Sequence, residues 1–166
     1  MTVMANDEYE LKTLLKMRER ERDQAESAYA AEMQELERRK ALVQERQAER
    51  DALAASRHRR QEAFDTKMAE GVDLAAMQQF DEYLQGVQIE LTDMDAAIEA
   101  ARQRVRKQQR VADERKQALI EAETSLKAVE KHREKWAEEQ AVVARRKQSD
   151  ALDEIASRLW QENNDR

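Results

Sequence analysis

The 166-residue chain contains no cysteine and no proline, and only two glycines. Without cysteine there is no disulfide framework, no thiolate metal site and no cysteine nucleophile. Both glycines fall in one stretch, EGVDLAAMQQFDEYLQG from Glu70 to Gly86, and the sequence on either side reads as unbroken helix. Aromatic residues make up 4% of the chain and the mean hydropathy is −1.02. A compact globular domain of this size carries more large apolar side chains. No stretch approaches the roughly 18 apolar residues of a membrane-spanning helix, so no membrane insertion is expected. The start, MTVMANDEYELKTLLK, lacks the basic residues and apolar run of a secretory signal, and a cytoplasmic location is expected.

What the chain does have is charge and helix propensity. Charged residues make up 40%, with both signs interleaved and a net charge of −6. Ala, Glu, Arg, Gln, Lys and Leu dominate, all good helix formers. Disorder usually comes with proline, glycine and serine or with one-signed charge, so a long helical coiled coil is the better fit. A heptad series supports it. From Met77, steps of seven give Leu84, Leu91, Ile98, Val105, Ala112, Leu119, Leu126, Arg133 and Gln140 at position a. The d series runs Phe80, Val87, Met94, Ala101, Gln108, Arg115, Ala122, Val129, Trp136 and Val143. Sixteen of these twenty positions are apolar, which specifies a coiled-coil seam.

Before the glycines the seam is weaker. Leu11, Leu15, Ala25, Tyr29, Leu36, Val43 and Leu53 share one frame with Arg18, Arg22, Glu32, Arg39, Arg46 and Arg50. Those charged members must snorkel, or the frame must shift. Gly71 is suited to end a helix in the left-handed conformation, and Asp73 to cap the next one. Val72 and Met77 stand at the spacing of a hydrophobic staple. The expected fold is therefore all-α: a long two-helix antiparallel coiled-coil hairpin, with an overhanging C-terminal helix. Residues 1–166 read as a single elongated domain, with helix one over about 6–69, a turn over about 70–73 and helix two over about 74–161. The register pairs residue numbers adding to about 144: Phe64 with Phe80, Leu53 with Leu91, Leu36 with Gln108, Leu15 with Val129, and Tyr9 near Trp136. Tyr29 then faces Arg115, where a cation can lie over the ring. The rival arrangement is one continuous helix that dimerises through its second segment.

Helix two outruns helix one from near Gln140, and past Val143 the heptad frame breaks. A new stripe follows, Leu152, Ile155 and Leu159 with Trp160 beside it. Two readings stand, a frayed terminus and a helix face kept for a partner. Gly86 falls at an outward position and receives no functional role.

Charge is segregated along helix two. From Gly71 to Ala101 there are seven acidic residues and no Lys or Arg. From Arg102 to Ser149 there are fourteen basic residues against eight acidic. Basic clusters lie at RHRR from Arg57, RQRVRKQQR from Arg102, and RRK at both Arg38 and Arg145. Most charged runs on a helix are solvated faces, but unlike ends can orient the molecule toward different partners. An enzyme is not expected. The two histidines, His58 and His132, have no second ligand at metal spacing, and no phosphate loop or nucleophile elbow occurs. No cofactor or metal is expected either. An isoelectric point near 5.2, interleaved acids and the lack of a base-stacking platform argue against nucleic acid.

The segment ERKQALIEAETSLKAVEKHREKWAEEQAVVARRKQSDALDEIASRL carries a Lys- and Glu-rich helix into a basic patch and then a D-E-I-A segment. Over about Lys127 to Leu159 this resembles the FliJ/YscO family of bacterial type III secretion, and the two-helix plan resembles it over the whole chain. The injectisome, YscO-like branch is favoured over the flagellar one. The resemblance implies a cytoplasmic central stalk, peripheral to the inner-membrane secretion apparatus. Such a stalk binds the hexameric secretion ATPase, promotes its assembly or activity, links it to the export gate, and in some members handles secretion chaperones. The ATPase-contact end is then expected at Arg145, Arg146, Lys147, Ile155, Leu159 and Trp160. Gate or chaperone contact is expected at the hairpin tip, at Phe64, Met68, Met77, Phe80 and Tyr83. Phe64, Met77 and Phe80 are seam positions that can equally be core, whereas Tyr83 lies on the flank. A monomer is expected. The alternatives are an escort for secretion chaperones and a homodimeric coiled-coil tether.

Overall fold

The computed structural model describes residues 9–164. Two helices, α1 (Lys12–Glu70) and α2 (Leu74–Asn164), make up the secondary structure, with no strand among the described residues. The fold is the all-α antiparallel pair that the heptad pattern implies. The expected start of helix one near residue 6 lies outside the described residues. Within them, Tyr9–Leu11 form a turn in which the Lys12 N–H donates to the Tyr9 carbonyl at 3.0 Å, and the helix proper begins at Lys12. At the other end α2 runs to Asn164, three residues past the expected 161.

The link between the helices is built from the residues that the sequence marks for it. Gly71 adopts φ 102°, a region that L side chains avoid, and its N–H donates to the Met68 carbonyl at 3.2 Å. Asp73 then caps α2: its Oδ1 accepts the Ala76 N–H at 2.8 Å, and its carbonyl accepts the Met77 N–H at 3.2 Å.

The chain forms two compact units by its contacts. One is Ser27–Gln117, holding the turn and the helical segments that flank it. Three cross-helix pairs in it share a register. Phe64 stacks on Phe80 with ring centroids 3.9 Å apart, and Arg57 donates to Gln88 Oε1 at 2.6 Å. The Arg50 Nε donates to Asp95 Oδ1 at 2.9 Å. Each of these pairs has residue numbers adding to within one of 144, so the turn sets the register. Leu36, Val87, Leu91, Ile98, Ala101 and Ala112 are buried in this unit. All buried α2 residues here are a or d positions of the heptad frame.

Within this unit the charged positions of the α1 seam, Glu32, Arg39, Arg46 and Arg50, find partners across the interface. Arg39 Nη1 donates to the Arg104 carbonyl at 3.4 Å, and Arg46 Nη1 to the Ala97 carbonyl at 3.2 Å. The alkyl stems thus lie along the seam while the guanidinium groups reach α2 backbone. Hydrogen bonding and attraction from Asp95 raise the Arg50 guanidinium above its usual pKa. Gln108 is a buried polar residue at a d position, 5% exposed. Its amide donates to the Glu32 carboxylate at 2.6 Å and to the Glu32 carbonyl at 3.3 Å, so burial leaves it satisfied. On the surface of α2, the hydrogen bond from Arg106 holds the Glu99 carboxyl below its ordinary pKa, aided by the nearby positive charge.

The other unit joins the described residues up to Glu26 with those from Ala118 onward. Tyr9, Leu15, Leu126 and Val129 are buried together, with Leu11, Leu14 and Trp136 packed against them. The Tyr9 hydroxyl lies 3.3 Å from the Val129 carbonyl, to which it can donate, and 3.0 Å from His132 Nδ1. Its ring meets that of Trp136 at 5.5 Å, the pairing expected from the register. Among the described residues the cation–ring contact is Arg60 over Tyr83 at 4.6 Å, near the turn, and not the expected one between Tyr29 and Arg115.

Candidate functional site

Within the second unit, every described side chain from Ala137 to Glu162 is exposed. Tyr9 packs against Trp136, and beyond Trp136 no described residue covers α2. Leu152 is 66% exposed, Ile155 54%, Leu159 58% and Trp160 68%. Spacings of three and four put Leu152, Ile155 and Leu159 on one face, and Trp160 borders it. Arg145 stands seven residues before Leu152, on the same face, with its Nε donating to the Ala141 carbonyl of its own turn at 3.3 Å. Arg146 and Lys147 make no ion pair with a described residue. All six residues expected at an ATPase-contact end thus lie on one uncovered helical segment, three of them apolar and three basic.

In the first unit, the aromatic side chains at the turn gather into a second surface. Phe64 and Phe80 stack, Tyr83 tilts against Phe80 with centroids 5.8 Å apart, and Arg60 covers the Tyr83 face. Beside them lies an open groove of about 430 Å³, lined by Phe64, Phe80 and Tyr83 among others. Met68 and Met77, also expected at the tip, are exposed but do not line the groove. Sequence reasoning missed Arg60 and Lys67, whose side chains do line it. The signal was available: Arg60 and Tyr83 obey the same register as Phe64 and Phe80, and RHRR was already visible as a cluster. Among the described residues no group of three or more His, Asp or Glu side chains could hold a metal ion. No helix among the described residues is long and apolar enough to cross a membrane.

A two-helix chain with these surfaces can be compared with known proteins. The family description "YscO-like protein" matches residues 6–166. The chain belongs to the YscO-like family. This is a structural secretion-system family, and it places the chain among proteins associated with type III secretion. Among solved structures the chain is similar to CT670 of Chlamydia trachomatis, a protein put forward as a YscO homolog. The TM-score is 0.75 at 19% identity, covering 95% of this chain and 98% of that one. At that identity the likeness concerns the fold. No curated protein matches the chain significantly.

Proposed function

We propose that this YscO-like protein is a non-enzymatic central stalk of a type III secretion export apparatus. It binds the hexameric secretion ATPase through the uncovered end of α2, promotes ATPase assembly or activity, and links the ATPase to the export gate. Its place is the cytoplasmic side of the inner membrane, peripheral to the apparatus. The observation that carries this reading is the stripe Leu152, Ile155, Leu159 and Trp160, each more than half exposed on an otherwise regular helix. An exposed apolar stripe on a segment that also carries the basic run Arg145–Lys147 suits a docking face. The tether alternative needs a free seam between chains, but α1 already covers the buried a and d residues of α2. The same stripe would also serve an escort for secretion chaperones, so the test must separate the two.

That test titrates the cognate secretion ATPase with this protein, reading turnover and hexamer fraction at each point. A Leu159→Ala/Trp160→Ala variant is run beside it. The expected result is a stoichiometric rise in both readings. Truncating two hot-spot residues at about 2 kcal/mol or more should raise the half-maximal concentration at least about 30-fold. No change in either reading, with an ATPase shown to be active, refutes the stalk and leaves the escort.

A further inference from the structure

We infer that the groove at the turn binds an acidic peptide segment, seating one bulky apolar side chain against Phe64, Phe80 and Tyr83 and placing flanking carboxylates on Arg60 and Lys67. The groove supplies the apolar wall directly, since three aromatic rings meet there. Its volume of about 430 Å³ accommodates a leucine or aromatic side chain with adjoining backbone. The charge of its lining selects the occupant. Arg60 and Lys67 are the charged groups on the groove, and no carboxylate lines it. Lys67 makes no ion pair with a described residue. Arg60 rests its guanidinium on the Tyr83 face, which leaves the N–H edge free to donate to a carboxylate.

Sequence alone makes the tip acidic, because every Asp, Glu, Lys or Arg from Gly71 to Ala101 is an acid. The structure separates the two charges. Asp81 and Glu82 are exposed but follow Phe80 by one and two residues, roughly 100° and 200° around the helix, and neither lines the groove. The basic side chains come from α1, four and three residues either side of Phe64, so each pairs with the aromatic cluster through helical spacing. The carboxamide of Gln79, also on the groove, adds a neutral donor and acceptor for peptide backbone. This inference rests on the groove residues and stands apart from the ATPase contact, which uses none of them.

The experiment pans a random dodecapeptide display library against the full chain, with the Arg60→Glu/Lys67→Glu variant as counter-target. One enriched sequence is then synthesised with a fluorophore and followed by anisotropy. Enriched peptides should be net negative and carry Phe, Leu, Ile or Trp. The double reversal should weaken the synthesised peptide at least about 10-fold, and raising salt from about 50 to 300 mM should weaken it several-fold. Lys67→Glu alone, at an exposed residue with no partner to lose, should weaken it measurably while leaving helicity unchanged. The Leu159→Ala/Trp160→Ala variant should bind as the parent does, which separates this result from the ATPase titration. Failure to enrich, enrichment of basic peptides, binding that survives both reversals, or binding lost with Leu159 and Trp160 would each overturn the inference.

Discussion

Gly71→Ala and Gly86→Ala add the same methyl group to the same chain and are expected to move its stability in opposite directions. An added Cβ would meet no atom within 4 Å at either position, so steric crowding is removed as a cause. What remains is backbone. At Gly71 the φ of 102° confines alanine to a strained region, at a cost of order 1–2 kcal/mol. At Gly86 the backbone is helical, and replacing glycine there should stabilise by up to about 1 kcal/mol. For a chain of this size about 1 kcal/mol moves Tm by roughly 2–4 °C. Gly71→Ala should therefore melt about 2–8 °C lower and Gly86→Ala up to about 4 °C higher, followed by circular dichroism at 222 nm with urea titrations beside it. Sedimentation should show both variants in the oligomeric state of the parent. If Gly71→Ala equals or exceeds the parent in stability, or associates while gaining helicity, the turn is not what holds the two helices back to back.

Leu36 is 1% exposed and Leu152 66%, so Leu36→Ala should cost about 2–5 kcal/mol and Leu152→Ala less than about 0.5 kcal/mol, by urea unfolding. Comparable losses would mean that Leu152 is covered in solution. Glu99 should titrate below the ordinary carboxylate range by NMR, and Arg106→Ala should bring it back up. A depressed carboxylate stabilises the fold above its unfolded pKa. That contribution is present at neutral pH and lost as pH falls through the lower folded value, so Glu99→Gln should flatten this acid limb slightly. An unshifted Glu99 in the parent would contradict the pairing.

Much of this protein is decided locally, and so was legible in its sequence. A sustained heptad on α2, one glycine at the turn and an N-cap aspartate two residues later are properties of the chain that tertiary context has little power to change. Once the turn is placed, antiparallel pairing makes the register arithmetic, and Phe64–Phe80 and Tyr9–Trp136 follow from it. The exposed stripe at Leu152, Ile155 and Leu159 could be read the same way, by noticing where one helix outlasts the other.

The α1 seam could not be read so far, because a guanidinium at a seam position has several fates of similar cost. Only packing decides that Arg39 and Arg46 reach α2 carbonyls, that Gln108 stays buried by donating to Glu32, and that Arg60 chooses the Tyr83 ring. The tip shows the same division. Counting residues along α2 makes it acidic, whereas the groove is lined by cations that α1 brings in from across the turn. Helix formation and register depend on neighbours in sequence and on one turn, which a single chain of letters records. The charge a partner meets depends on which faces two helices turn toward the same space, and that exists only when both are folded.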